Sequence, residues 1–247
     1  GIGAVTFILS QVGHIPFNWA MGKLLNQSNL VDWPPTAQVI FSAAFLGLSA
    51  GIFEETARYL VLRYWEKNAR SWRAALMFGT GHGGIEAIIL GALVLLGFFS
   101  MLAYRDADLS QLVPASQLEL ARQQIAAYWS APWFATTLGA LERFFTIPCH
   151  IFMAVLVMQA FTRRNILWLF AAIGYHALLD GAAVLGSKYL GVYWTEAMIG
   201  AFAILSVVLI FVLRQPEPQA DSQPVLAIEP VNIPILKPVD ESEENLE

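Results

Sequence analysis

Charge is scarce in this chain. Only 13% of its 247 residues are charged, while 57% are hydrophobic. Soluble domains carry about a quarter charged residues, and without that polar cover a globule of this size cannot hide its core from water. Cysteine is nearly absent too. The single Cys149 allows no internal disulfide and argues against a thiolate metal site. Nor is there a basic excess to recruit nucleic acid. The net charge is -5, but Gln215–Glu247 holds eight acids against Lys237. The remainder is therefore slightly basic. No internal repeat is visible. The first apolar stretch has no basic n-region and is too long for a signal peptide's apolar segment. Position 1 is not Met, so a processed or cut N-terminus is expected.

What is present instead is a series of long apolar runs. Six are long enough to cross about 30 Å of hydrocarbon: Gly3–Leu25, Thr36–Trp65, Ala74–Leu102, Trp133–Phe161, Ile166–Gly186 and Trp194–Leu213. They predict an all-α, polytopic transmembrane helical bundle over residues 1–214. The longest break contains Ser116–Trp129, which reads as an amphipathic surface helix with Leu118, Ile125 and Trp129 on its apolar side. Residues 215–247 are rich in Pro and Glu without a sustained period, the pattern of a disordered acidic tail. Trp33, Trp65, Trp72, Trp129, Trp133 and Trp194 lie near span ends, as an interfacial belt requires.

Lys and Arg in short loops set the orientation. Lys67, Arg70 and Arg73 lie in the second break with Arg63 just before it; Arg163 and Arg164 lie in the fourth, and Arg214 follows the last span. The first break has no basic residue, the fifth only Lys188, and the third mixes Arg105 and Arg122 with several acids. The basic loops and the acidic tail are expected in the cytoplasm, with the chain multi-pass in a cell membrane of prokaryotic inner-membrane type.

Several residues in the spans have no business facing lipid. Glu54, Glu55, Arg58, Glu86, Glu142, Arg143 and Asp180 are charged, and His14, His82, His150 and His176 accompany them. At roughly 3 kcal/mol per central charge, seven facing lipid would cost about 20 kcal/mol. They must turn inward and pair, bind metal or become neutral. Structural pairing such as Glu54–Arg58, one turn apart, explains one pair well but not the full set.

Depth and spacing narrow the choice. Glu55, His82, His150 and His176 all lie about 13–17 Å from the cytoplasmic end of their spans, at 1.5 Å per residue. Glu86 and Asp180 fall one turn further. His82–Glu86 and His176–Asp180 are both spaced i, i+4, which places each pair on one helix face. Gly79, Gly81, Gly83 and Gly84 let a neighbouring helix approach closely. Imidazoles and carboxylates without thiolates suit zinc or a similar divalent ion. Such an ion lowers the pKa of a bound water toward about 7, and a nearby Glu takes the proton.

These residues carry a resemblance. Glu54-Glu55-Thr-Ala-Arg58, Phe78-Gly-Thr-Gly-His82-Gly-Gly-Ile-Glu86, Glu142-Arg143 with His150, and His176-xxx-Asp180 resemble the YhfC family of intramembrane metalloproteases. That family is grouped with the CAAX-protease (Rce1-like, CPBP) and PrsW-like glutamate peptidases. Relatives use EExxxR or EExxK, FxxxH or FxxxE, and HxxxN or HxxxD. Here EExxR is intermediate, and the middle ligand maps to His82, Glu86 or His150. Many such chains carry one more N-terminal helix. The resemblance implies an endopeptidase acting in the bilayer on a membrane-embedded or lipidated peptide. Glu54 or Glu55 would activate water, with Arg58 balancing the pair. His150 and His176, with His82 or Glu86, would hold the metal. Asp180 would support His176 or the scissile carbonyl, and Glu142 and Arg143 would stand behind the site.

Blander readings stand beside these. His14, near Pro16, reads as a buried hydrogen-bonded imidazole, Cys149 as an apolar filler, Glu196 as a solvated interfacial acid, and Glu142–Arg143 as a structural pair. A transporter is the second functional class, since buried acids and histidines also mark ion paths. No repeat or broken helix pair supports it. A catalytically silent scaffold of the same fold is the third.

Overall fold

A computed structural model describes residues 1–27 and 32–216. Among the described residues, seven α-helices follow one another: α1 Ile2–Asn26, α2 Pro35–Leu60, α3 Trp72–Tyr104, α4 Leu118–Ser130, α5 Ala135–Thr162, α6 Leu167–Tyr189 and α7 Val192–Val212. No strand occurs among the described residues. The expected tail lies outside them from residue 217 onward.

Local sequence explains several of the boundaries. Pro35 opens α2, where its missing N–H costs nothing. The Ser71 side chain caps α3 by accepting from the Ala74 N–H at 3.1 Å. Gly191, at φ +79°, makes the two-residue turn into α7. A π-helical turn, Val61–Trp65, carries α2 to the first basic loop.

Among the described residues, five helical stretches are long and apolar enough to cross a membrane: α2 with its π turn, α3, α5, α6 and α7. The remaining expected span, Gly3–Leu25, forms a 25-residue helix, α1, as its sequence suggested. Its apolar density is lower, because Gln11, His14, Asn18 and Lys23 interrupt it. The amphipathic segment forms α4, whose Trp129 meets Phe98 of α3 at 6.5 Å between centroids.

The central helix is α5, buried almost continuously from Cys149 to Ala160. It packs against α3, α6, α7 and α2, while α2 lies lengthwise along α6. Close approaches rest on glycine. A Cβ on Gly79 would meet the Ile151 backbone at 2.5 Å, and one on Gly83 would meet the His150 side chain at 3.0 Å. Gly47 and Gly51 do the same for α2 against the α6 backbone. Gly81 instead faces α1, and Gly84 has nothing within 4 Å. The basic-loop ends of α2, α3, α5, α6 and α7 share one apolar cluster around Leu62, Phe78, Val155, Met158, Ala172 and Ile210.

Candidate metal centre

Four helices deliver the ionisable residues to one place. Arg58, fully buried, is the hub. Its Nη1 donates to both oxygens of Glu55 at 2.7 and 2.9 Å. Its Nη2 reaches His150 Nδ1 at 2.8 Å, and its Nε donates to His82 Nδ1 at 3.3 Å. The expected Glu54–Arg58 pair is loose, at 3.9 Å. The firm pair is with Glu55, while the Glu54 oxygens are taken up by Gln11 and His82.

The two adjacent glutamates therefore separate. Glu55 is fully buried, and its Oε1 also accepts from His176 Nδ1 at 2.8 Å. That bond fixes the His176 ring and turns Nε2 toward a cavity. There Nε2 lies 3.5 Å from Asp180 Oδ2 and 4.0 Å from Glu54 Oε2. Glu54 lines that cavity. Its Oε1 accepts from Gln11 Nε2 at 3.0 Å, and its Oε2 lies 3.0 Å from His82 Nε2. Glu86 Oε1 accepts from Arg143 at 2.7 Å. Its Oε2 lies 2.6 Å from His150 Nε2 without an aligned hydrogen bond. Arg143 also pairs with Glu142.

All ten residues singled out as site candidates thus fall in one connected cluster. Glu55, Arg58 and His82 form its closed floor, and the other seven line a cavity of about 80 Å³ together with Thr146, Leu179, Ala183 and Ile199. By the roughly 10–15 Å³ that one water needs, it has room for a few. A larger groove of about 670 Å³ runs between α3 and α5 past Leu90, Val94 and Gly139, and joins the cavity at Glu142 and Arg143.

Three expectations outside the cluster can be checked. His14 stays out of it, hydrogen-bonded to Ser49 at 3.1 Å and Asn18 at 2.9 Å. Cys149 is fully buried among Met153, Leu179, Ile199 and Ala203. Glu196 is not solvated: it is 6% exposed, and its Oε2 has no hydrogen-bond partner. The cause is the packing of α7 along α5, which covers the α7 face that carries Glu196, Ile199 and Ala203 and leaves Val192, Tyr193 and Trp194 exposed. Gln11 was missed. A lone Gln in an apolar span is a weak signal, although its i+3 relation to His14 marks a polar stripe on α1.

Which groups can hold an ion follows from their atoms. Glu54, His82 and His150 each offer one ligand atom, and these three lie within 4.8 Å of one another. Residues 1–203 match the family described as YhfC intramembrane metalloprotease. The chain belongs to that family. It is also similar to the uncharacterized membrane protein YhfC of Bacillus subtilis (strain 168), at 36% identity over 146 residues, covering 56% of this chain and 54% of that protein. The chain thus spans about half the length of that relative. No solved structure matches it. The helices and this relative together support a membrane location.

A YhfC metalloprotease implies a metal, and the donor chemistry fits one. Two imidazoles and a carboxylate make a His₂Glu set of the kind found in zinc hydrolases. One rearrangement is needed. Arg58 donates to Nδ1 of both His82 and His150, which assigns their ring hydrogens to Nε2. Were an ion held by Nε2, the hydrogen would sit on Nδ1, and Arg58 would release both rings and keep its bonds to Glu55. His176 needs no such change, because Glu55 already takes its Nδ1 hydrogen, as carboxylates behind metal-bound histidines do.

Proposed function

We propose that this chain is an intramembrane metal-dependent endopeptidase acting on a membrane-embedded or lipidated peptide. The observation that carries the reading is the convergence of Glu54, His82 and His150 from three helices to within 4.8 Å of one another, with Glu54 and His150 lining one small polar cavity beside Glu86 and His176 and with His82 in its floor. Structural pairing alone does not require a cavity there. Glu54, His82 and His150 would hold a divalent ion, with zinc the best fit to the donors. When bound, the ion supplies Lewis acidity and a more acidic water.

The chain's own residues do the rest. Of the EExxR glutamates, Glu54 faces the reaction space and Glu55 supports His176. Glu86 Oε2, free of an aligned bond, accepts the proton of the attacking water. His176 Nε2 and Asp180 face the same cavity and orient the carbonyl or take part in proton return to the leaving amine. The groove between α3 and α5 gives the apolar part of the substrate a path from lipid to the cavity. This scheme departs from the simplest reading of EExxR, in which Glu54 is itself the base.

A second reading has its own support. Arg58's bonds to both Nδ1 atoms favour a metal-free state with the ring hydrogens on Nε2, His82 donating to Glu54 and His150 Nε2 lying beside Glu86. Water activation would then rest on the carboxylates. Metal content of detergent-purified protein separates the two. A stoichiometric divalent ion that is lost in Glu54→Gln and His150→Ala but kept in Glu86→Gln supports the first. A metal-free protein that hydrolyses peptide after chelation overturns it.

A further inference from the structure

The cluster is not equally deep from both ends of the bundle. On the side of the basic loops it is sealed: Leu62, Phe78, Val155, Met158, Ala172 and Ile210 fill the space between it and that surface. Toward the opposite end, side-chain exposure rises step by step. Glu55 and Arg58 are at 0%, Glu54 at 8%, Glu86 at 16%, Glu142 at 35% and Asp180 at 40%. The helix directions agree with this gradient. Chain progress along α3 and α6 leads away from the basic loops, and Glu86 and Asp180 lie one turn beyond His82 and His176. α5 runs the other way, and Glu142 lies two turns before His150. The cavity lining follows the same course, from Glu54 and His176 out to Arg143, Asp180 and Ala183.

We infer that the site is entered from the extracytoplasmic side, so its substrate is a membrane-tethered peptide whose scissile bond lies beneath the outer surface, not a cytosolic lipidated tail. The inference joins the gradient to the positive-inside rule, which puts Lys67, Arg70, Arg163 and Arg214 in the cytoplasm. It rests on the peptidase reading for the word substrate, but the access route stands on geometry and charge alone. A peptide approaching from the cytoplasm would have to part the apolar seal, whereas one approaching from outside meets carboxylates and Arg143, which can take over hydrogen bonds that its backbone gives up on leaving water.

Cysteine labelling tests the route without using activity. Full-length chains in a Cys149→Ala background, each with one new cysteine, would be expressed in cells bounded by a single membrane and treated with a membrane-impermeant maleimide. Ser110→Cys, in the loop before α4, and Ala183→Cys, at the cavity mouth, should label in intact cells. Lys67→Cys should label only after permeabilisation. Thr146→Cys, deeper in the cavity, is a second probe if Ala183→Cys accumulates poorly. Labelling of Lys67→Cys but not Ser110→Cys in intact cells overturns the orientation. Labelling of Ser110→Cys with neither cavity probe reactive overturns the route. Adding Glu86→Gln should leave the pattern unchanged, so failure of the peptidase reading is seen separately, as absent hydrolysis.

Discussion

Glu54 and Glu55 are neighbours of identical chemistry in different worlds. Glu55 belongs to a dry region, where it is fully buried and Arg58 and His176 use its oxygens. Glu54 belongs to a wetter region with Glu86, His150 and Asp180, where polar atoms face open space. The difference shows how a membrane protein keeps charges in its middle. The dry half holds helices together through a saturated network, and that rigidity lets the wet half present carboxylates and imidazoles that are not fully satisfied. Low dielectric makes the first half costly to break and the second chemically potent.

The largest expected effect lies in the wet half. Glu86→Gln should lower peptide hydrolysis by about 10²–10⁴-fold, the usual contribution of a general base, while metal content and melting temperature stay close to wild type. Melting in detergent with parallel metal analysis checks this. Loss of metal together with activity would instead make Glu86 a ligand and return the base to Glu54.

The dry half should fail differently. Arg58→Leu leaves Glu55 buried without its charge partner, and breaking such a pair costs about 3–5 kcal/mol. Reduced yield of folded, monodisperse protein should accompany lost activity. Arg58→Lys keeps the charge but not the planar fork that serves Glu55, His82 and His150 together, so it should restore stability only in part. Full rescue by Lys would show that the charge alone matters and that the hub geometry does not.

Much of this arrangement was legible in the sequence, and the limit was rotational. The helix boundaries follow from apolar run length, and the shared depth of His82, His150 and His176 from counting residues. The i, i+4 pairs correctly put Glu86 with His82 and Asp180 with His176 on common faces. Residue counting does not say how far each helix turns about its axis. That angle is set where Gly79 and Gly83 meet α5 and where Gly47 and Gly51 meet α6. It decides that Glu54 faces the cavity while Glu55 turns to His176, and that Gln11 reaches the cluster. Glu196 was misread for the same reason: four residues into α7 it looks interfacial, yet its face is covered by α5.

Those glycine contacts offer a subtler way to disturb the wet half without removing any of its groups. A methyl on Gly83 would stand 3.0 Å from the His150 Cβ. Gly83→Ala should therefore push α5 from α3 by a few tenths of an ångström, at about 1–3 kcal/mol of overpacking. Metal affinity should fall more than stability, because His82 and His150 sit on the two helices being separated. Gly84→Ala is the matched control, since a methyl there meets nothing within 4 Å. Equal effects of the two substitutions would show that helix propensity, not spacing, is being read.

The smallest effect tests where the functional cluster ends. Glu196 is buried with an unpartnered Oε2, and it lines a separate apolar groove between α5 and α7 with Leu141 and Phe145. An unsatisfied buried polar group costs about 1–3 kcal/mol. Glu196→Leu, which removes the carboxylate altogether, should therefore raise the melting temperature by a few degrees and leave hydrolysis within twofold. A fall in hydrolysis with stability unchanged would draw the boundary wider. Glu196 would then join Glu142 and Arg143 as part of the charged rim that receives the substrate, and the wet half would extend onto α7, one helix further than its hydrogen bonds reach.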